Sequence, residues 1–475
     1  MIDEFDRLWA QTIGAFSQCR VHKRAHSVAK GALTCLGRHT LTGMLTAAGR
    51  QFVDWSAAYR LFGQNRVDTE KLFDVIRTNV LKELPESDII VHMDDTIIRK
   101  KGKRVFGTAW RRDPTGPRFH TNFVWGQRFL QISMALPNST RNGQSKAIPI
   151  DFHHCPTIAR PNKKAQPQQL LVYKEQQKNA KLSRQGSLRI AQLRHKLNLQ
   201  GEQKRKLTLC VDGSYTNSEV LKTLPDNVTL IGRIRKDSKL FKVPTKKNKS
   251  VGRKRLYGDQ LPSPEAIRKS GNYRWEKVTA WAAGKTHEFN IKIVRNVRWR
   301  SAGEFNTMQL IIIRPLAYRL SKASPILYRQ PGYLVCTDPH LPVERLLQAY
   351  LWRWEIEVNF RDEKTLMGCG EAQVRCESAV KNVPAFMGAI YSMIHLAAHR
   401  ANQIRGENLL PRPAWYPAKP SQRVTSSEIL NAFRAQTWCT EANNNFSGFI
   451  NKQNIEKSHK NVSNQLFSAM FYTRK

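Results

Sequence analysis

The sequence predicts an α/β fold: a mixed sheet with helices on its faces, preceded by a helical region and interrupted by a β-rich segment ahead of its last helix. Three observations predict it. Residues 1–85 place apolar side chains at helical spacing, residues 88–235 read strand, strand, strand, helix, strand, helix, strand, and residues 273–338 are strand-like over most of their length. Successive strands can pair directly, whereas later parallel pairs need helical crossovers, so this order is that of a mixed sheet.

In the first region Trp55, Tyr59 and Phe62 fall at i, i+4, i+7, and Leu72, Ile76 and Val80 are spaced likewise behind a Thr69 cap. A small helical domain over 1–85 follows, and Arg50, Arg60 and Arg66 suit it to DNA, although no sharp helix-turn-helix signature is present. Strands are predicted at DIIVHMDD, at FLQISMALP (129–137) and at AIPIDFHH (147–154). A long basic helical stretch covers about 165–200 and leads to LTLCVDGS (207–214), a helical turn over Ser218–Leu224 and VTLIGRIR (228–235). These segments make the first part of the core, 86–236. A basic loop then opens a β-rich insertion, 237–340, and the core resumes at 341–405 with a helix over 350–364. A Pro-rich stretch at 409–420 and a polar run with Asn443, Asn444 and Asn445 mark 406–475 as a partly mobile, peripheral C-terminal segment.

Composition narrows the partner. Of 475 residues, 78 are Lys or Arg against 37 Asp or Glu, a formal charge of +41, and such an excess on a folding chain implies a polyanion, most commonly nucleic acid. The start, MIDEFDRLWAQTIGAF, resembles no signal peptide, and the longest apolar run, 385–399, is too short and polar to span a membrane. The eight cysteines show no CxxC pairing, which argues against a zinc finger and fits a reducing, cytoplasmic setting. His153, His154 and Cys155 look metal-like, but neighbouring strand residues point to opposite faces.

The chemistry concentrates in YLWRWEIEVNFRDEK, 350–364. Tyr350, Arg353, Glu357 and Lys364, at offsets of 0, 3, 7 and 14, share a wedge of roughly 60° on one helical face. Leu347, Leu351, Trp354 and Val358 form a beside-lying stripe spaced to face a core. Two further acids close apolar strand segments: Asp94 or Asp95 in VHMDDT, and Asp212 in LCVDGS. An acid abutting a buried strand is costly unless paired, hydrogen-bonded or bound to metal. With Glu357 they offer three carboxylates, an all-oxygen set that selects hard cations such as Mg²⁺ or Mn²⁺.

VHMDDT, LCVDGS with the later LIGRIRKDSKL, and the spacing Tyr-x2-Arg-x3-Glu-x6-Lys resemble the DDE transposases of insertion sequences that carry a Tyr-Arg-Glu-Lys signature. The resemblance covers about residues 40–400. It implies a ribonuclease H-like fold with a β-rich insertion ahead of the catalytic glutamate. It also implies a catalytic, metal-binding triad of Asp94, Asp212 and Glu357 that uses Mg²⁺, with Mn²⁺ able to substitute, while Tyr350, Arg353 and Lys364 hold the DNA end. The family pattern favours Asp94 over Asp95, since strand alternation keeps both from entering one site. The implied activity is cleavage of double-stranded DNA at transposon ends and joining of the 3′-OH ends to target DNA, by a homodimer on DNA. Some relatives pass through a DNA hairpin with a base stacked on an aromatic of the insertion, for which Trp275, Trp281 and Trp299 are the candidates here. Two rival readings are a catalytically silent DNA-binding descendant and a nuclease without strand transfer.

Overall fold

The computed structural model describes residues 1–85, 89–113, 116, 120, 122–137, 143–244, 255–303, 307–319, 323–405, 424–450 and 465–472. Five helices open the chain: α1 (Ile2–Ala10), α2 (Cys19–Thr34), α3 (Leu41–Ala47), α4 (Ser56–Gly63) and α5 (Thr69–Glu83). Leu72, Ile76 and Val80 are buried on α5, but the cap is Asp68, one residue earlier than expected, whose carboxylate accepts from the Glu70 and Lys71 amides. On α4 Phe62 is buried while Tyr59 is exposed, because only part of that short helix faces its neighbours.

The next strands are β1 (Ile89–Arg99), β2 (Ala109–Arg112), β3 (Phe123–Pro137) and β4 (Ser145–His154). The basic helical stretch is two helices, α6 (Pro167–Asn179) and α7 (Leu182–Leu199), parted at Ala180 and Lys181. The first buries no residue, whereas α7 packs through Ile190, Leu193 and Leu197. Then come β5 (Leu207–Val211), α8 (Ser218–Lys222), β6 (Val228–Arg233), β7 (Leu240–Lys242), α9 (Pro264–Lys269), β8 (Glu276–Ala282), β9 (Lys285–Trp299), β10 (Thr307–Ile313), β11 (Ala317–Tyr318), β12 (Leu327–Tyr328) and β13 (Gly332–Cys336). Among the described residues there follow α10 (Val343–Trp352), α11 (Trp354–Thr365), α12 (Glu377–Arg405), α13 (Ser426–Ile450) and a short α14 (Gln465–Phe467).

Among the described residues eleven strands form one mixed sheet, as the α/β reading requires. Its path runs β3-β1-β5-β6-β13-β10-β9; β2 and β4 pair with β3, and β7 and β8 pair with β9. β1, β5 and β6 are mutually parallel, and β3 lies antiparallel to β1 and β4. The β-rich segment is hydrogen-bonded into the same sheet, because β13 pairs with β6 on one side and β10 on the other.

One core cluster joins the first helices, the sheet and α12: Phe62 and Trp9 both pack edge-on against Phe386. The Pro-rich stretch expected at 409–420 lies outside the described residues. Beyond it, the peripheral placement expected of the C-terminal segment does not hold for the start of α13, where Ile429, Leu430, Ala432 and Phe433 are buried and Phe433 meets Phe5. All eight cysteines are free thiols, and among the described residues no helix is long and apolar enough to cross a membrane.

Candidate active site

β1 and β5 pair in parallel as far as Met93 with Val211, so the residues just past that pair, Asp94 and Asp212, lie side by side on neighbouring strands. The turn after β5 is fixed by its own polar groups. The Ser214 amide and hydroxyl donate to the two Asp212 carboxylate oxygens at 2.8 and 3.1 Å, and the Thr216 hydroxyl donates to the Asp212 carbonyl at 2.7 Å. Thr216 then lies against Gly232 of β6, where a Cβ would stand 2.1 Å from its Oγ1, so any side chain there would displace the Thr216 hydroxyl.

Glu357 arrives from the far end of the chain on α11. The continuous helix expected over 350–364 is broken: Trp352 ends α10, Arg353 is the turn between, and Trp354 starts α11. The break re-aims the apolar stripe. Leu347 is buried, Leu351 and Val358 are half-buried, and Trp354 is 66% exposed instead of facing the core. The face that packs inward on α11 is instead polar, with Glu355, Asn359, Asp362 and Glu363 buried beside Ile356 and Phe360.

Arg353, at this break, joins the acids. Its guanidinium lies 3.0 Å from Asp94 Oδ2 and 4.0 Å from Glu357 Oε1, and over the Tyr350 ring at 5.8 Å. Burial pushes the Asp94 carboxyl up to about 7, the nearby charges of Asp212 and Glu357 add to that, and Arg353 and the Asp95 amide oppose it. Burial also raises the Tyr350 phenol, against the opposing charges of Arg353 and Arg233. Asp95 takes the other side of the strand, where it accepts from the Tyr215 hydroxyl at 2.8 Å and pairs with Arg128 at 3.2 Å. Lys364 is exposed near the end of α11, within electrostatic reach of Glu357, and opens onto a separate cleft.

The arrangement therefore brings Asp94, Asp212, Glu357, Arg353 and Tyr350 together and sets Lys364 at their margin. Among the described residues no three His, Cys, Asp or Glu side chains converge closely enough to hold an ion as they stand. The cationic head of Arg353 stands between two of the three acids. The donor chemistry nevertheless suits a hard divalent cation: the candidates are all carboxylates, and the charges of Asp212 and Glu357 add to the burial that raises Asp94. His153 and His154 make no metal cluster; His154 packs on Phe129 and Phe106. Of the three tryptophans, Trp281 is pinned to α10 through Gln348, and Trp299 is half-buried against the core. Trp275 lies in a cleft with Arg268, Arg314 and Arg329.

Sequence reasoning missed the groups that complete this site from a distance. Ser214 and Thr216 follow Asp212 directly and were legible as a polar turn, but Arg128 and Tyr215 reach Asp95 only through the pairing of β1 with β3 and β5.

Residues 15–302 match the profile of the DDE superfamily endonucleases, a span that includes Asp94 and Asp212 and stops short of Glu357. No curated protein matches the chain. Endonucleases of this superfamily use divalent metals, in keeping with the carboxylate set. With that match over more than half of its 475 residues, and with two acids adjacent at the heart of a mixed sheet, the chain belongs to the DDE superfamily endonucleases.

Proposed function

We propose that the protein is a DNA transposase of the Tyr-Arg-Glu-Lys group, which cleaves at transposon ends and joins the freed 3′-OH ends to target DNA. The observation that carries the reading is the Arg353 guanidinium standing between Asp94 and Glu357, because it links an acid from β1 with one from α11, 263 residues apart (357 − 94), within electrostatic reach of Asp212. The order β4-β3-β1-β5-β6, an antiparallel meander followed by two parallel strands, supports the ribonuclease H-like core of that group.

In this reading Asp94, Asp212 and Glu357 hold Mg²⁺ or Mn²⁺, which when bound supplies Lewis-acid stabilisation to the attacking and leaving oxygens of an in-line displacement. Water adds to phosphorus and the P–O3′ bond breaks, leaving a 3′-OH. That hydroxyl then attacks a target phosphodiester, and one phosphodiester replaces another without an outside energy source. Arg353 exchanges its carboxylate partners for a phosphate as the DNA end enters, Tyr350 positions it, and Lys364 holds the backbone beyond. Two ends processed together call for two copies of the chain on DNA. A base-stacking step, if the reaction passes through a hairpin, falls to Trp275, whose ring borders an arginine-lined cleft.

The test compares strand cleavage with a gel shift on the same end DNA. Asp94→Asn, Asp212→Asn and Glu357→Gln each abolish metal-dependent cleavage and leave DNA binding nearly intact, since each removes a ligand and no phosphate contact. Cleavage retained in Glu357→Gln overturns the triad. A joined product separates transposition from simple nuclease action.

A further inference from the structure

A cleft of about 870 Å³ lies off the carboxylates, where the last residues of β1, the loop after α11 and the helical region meet. Its walls carry Arg38, Arg99, Lys100, Lys101, Lys364 and Arg375 against one acid, Glu371. Two of the six cations are engaged: Arg99 pairs with Asp113 at 2.7 Å, and Lys100 donates to the Gly370 carbonyl at 2.8 Å, bracing the loop against β1. Arg38, Lys101, Lys364 and Arg375 are exposed and make no ion pair within 4.0 Å among the described residues. Backbone contacts hold the loop of the cleft in place. Glu371 accepts from the His39 amide and so ties the loop to the helical region. At Gly368, which has φ +55°, a Cβ would fall 2.5 Å from His39 Cβ.

Four cations without an ion pair among the described residues suit a row of phosphates. The two elements that carry acids also run toward the cleft. Lys364 follows Glu357 by seven residues on α11, about 10 Å, and Lys101 follows Asp94 by seven residues along and just past β1, roughly 23 Å. At about 3.4 Å per base pair, these lengths correspond to about three to seven base pairs of duplex.

We propose that this cleft is a second DNA site, a groove that grips the phosphate backbone about three to seven base pairs from the bond cut at Asp94, Asp212 and Glu357. It rests on the proposed cleavage site for its distance along the DNA, and on its own cations for the binding. The groove joins the helical region, through Arg38, to the catalytic sheet, so one stretch of duplex bridges both.

The test measures binding of a labelled end duplex against salt for Lys101→Ala, Arg375→Ala and the double variant, with Lys204→Ala, an exposed lysine before the opposite end of β5, as the charge-matched control. All three positions are exposed, so the fold tolerates the changes. Each groove variant lowers the slope of log K against log salt by about one unit and the double variant by about two, while the control leaves it unchanged. In ethylation interference, the wild type depends on phosphates about three to seven steps from the cut, and the double variant loses that dependence. Slopes shifted no more than the control's, or interference confined to the cut itself, overturn the proposal. Loss of slope in the groove variants of a protein that cuts no DNA leaves the groove standing and removes only the reading of the three carboxylates.

Discussion

Among single residues, Glu363 makes the sharpest contrast with Glu357, six residues before it on α11. It is 2% exposed, and with the Gln131 amide turned to satisfy its neighbours, that nitrogen donates to both carboxyl oxygens at 3.0 Å. Burial holds its carboxyl well above the ordinary range, with Lys364 opposing and Asp362 adding to the shift. The folded chain therefore keeps a proton that the unfolded chain releases at about pH 4.5, and stability falls as pH rises above that value. Glu363→Gln keeps the shape and removes the titration. Melting measured from about pH 5 to 8 should show the wild type losing stability relative to this variant; parallel curves would mean that an ionised Glu363 is fully compensated. None of this was legible locally, since Glu363 reads as one more charge in a polar helix. Asp94 was legible because its chemistry is announced by the apolar residues before it. What separates it from Asp95 is a tyrosine 120 residues away in sequence, which no window of the chain contains.

For the elements, periodicity served best where one face is uniformly apolar, as on α5 and β5, and failed where a helix buries polar groups. The helix of Glu357 is such a case. Its inward side chains bond to sheet and tail: Asn359 donates to the Ala147 carbonyl at 3.1 Å, and the Ser426 hydroxyl donates to Asp362 at 2.5 Å. An apolar stripe was therefore the wrong guide to its orientation. The same contacts explain why α13 is part of the core despite a Pro-rich approach that reads as a tether. Phe433→Ala, which empties the space against Phe5, should cost about 4 kcal/mol in urea unfolding. A loss under about 1 kcal/mol would show that the helix is only loosely docked.

Across the whole molecule, charge and strand order were readable and the closure of the sheet was not. A run of strands between 237 and 340 looks like an independent insertion, yet pairing partners are set by contacts far apart in sequence. β13 enters between β6 and β10, so the half of the sheet bearing Asp94 and Asp212 and the β-rich half share one ladder. Amide hydrogens of β6 and β13 should then exchange together, through one cooperative opening. Exchange of the β-rich half at a distinctly lower free energy would show that it opens as a separate unit. The same strand also sets a clock for synthesis. Cys336 pairs with Ile231, 105 residues earlier (336 − 231), and at about 5 to 20 residues per second the ribosome takes roughly 5 to 20 s to supply it. For that interval β6 waits with an apolar, unpaired edge, and the helix of Glu357 has yet to be made. A newborn chain is thus sticky before it can be a nuclease, and slower translation lengthens its exposure to aggregation without bringing activity any nearer.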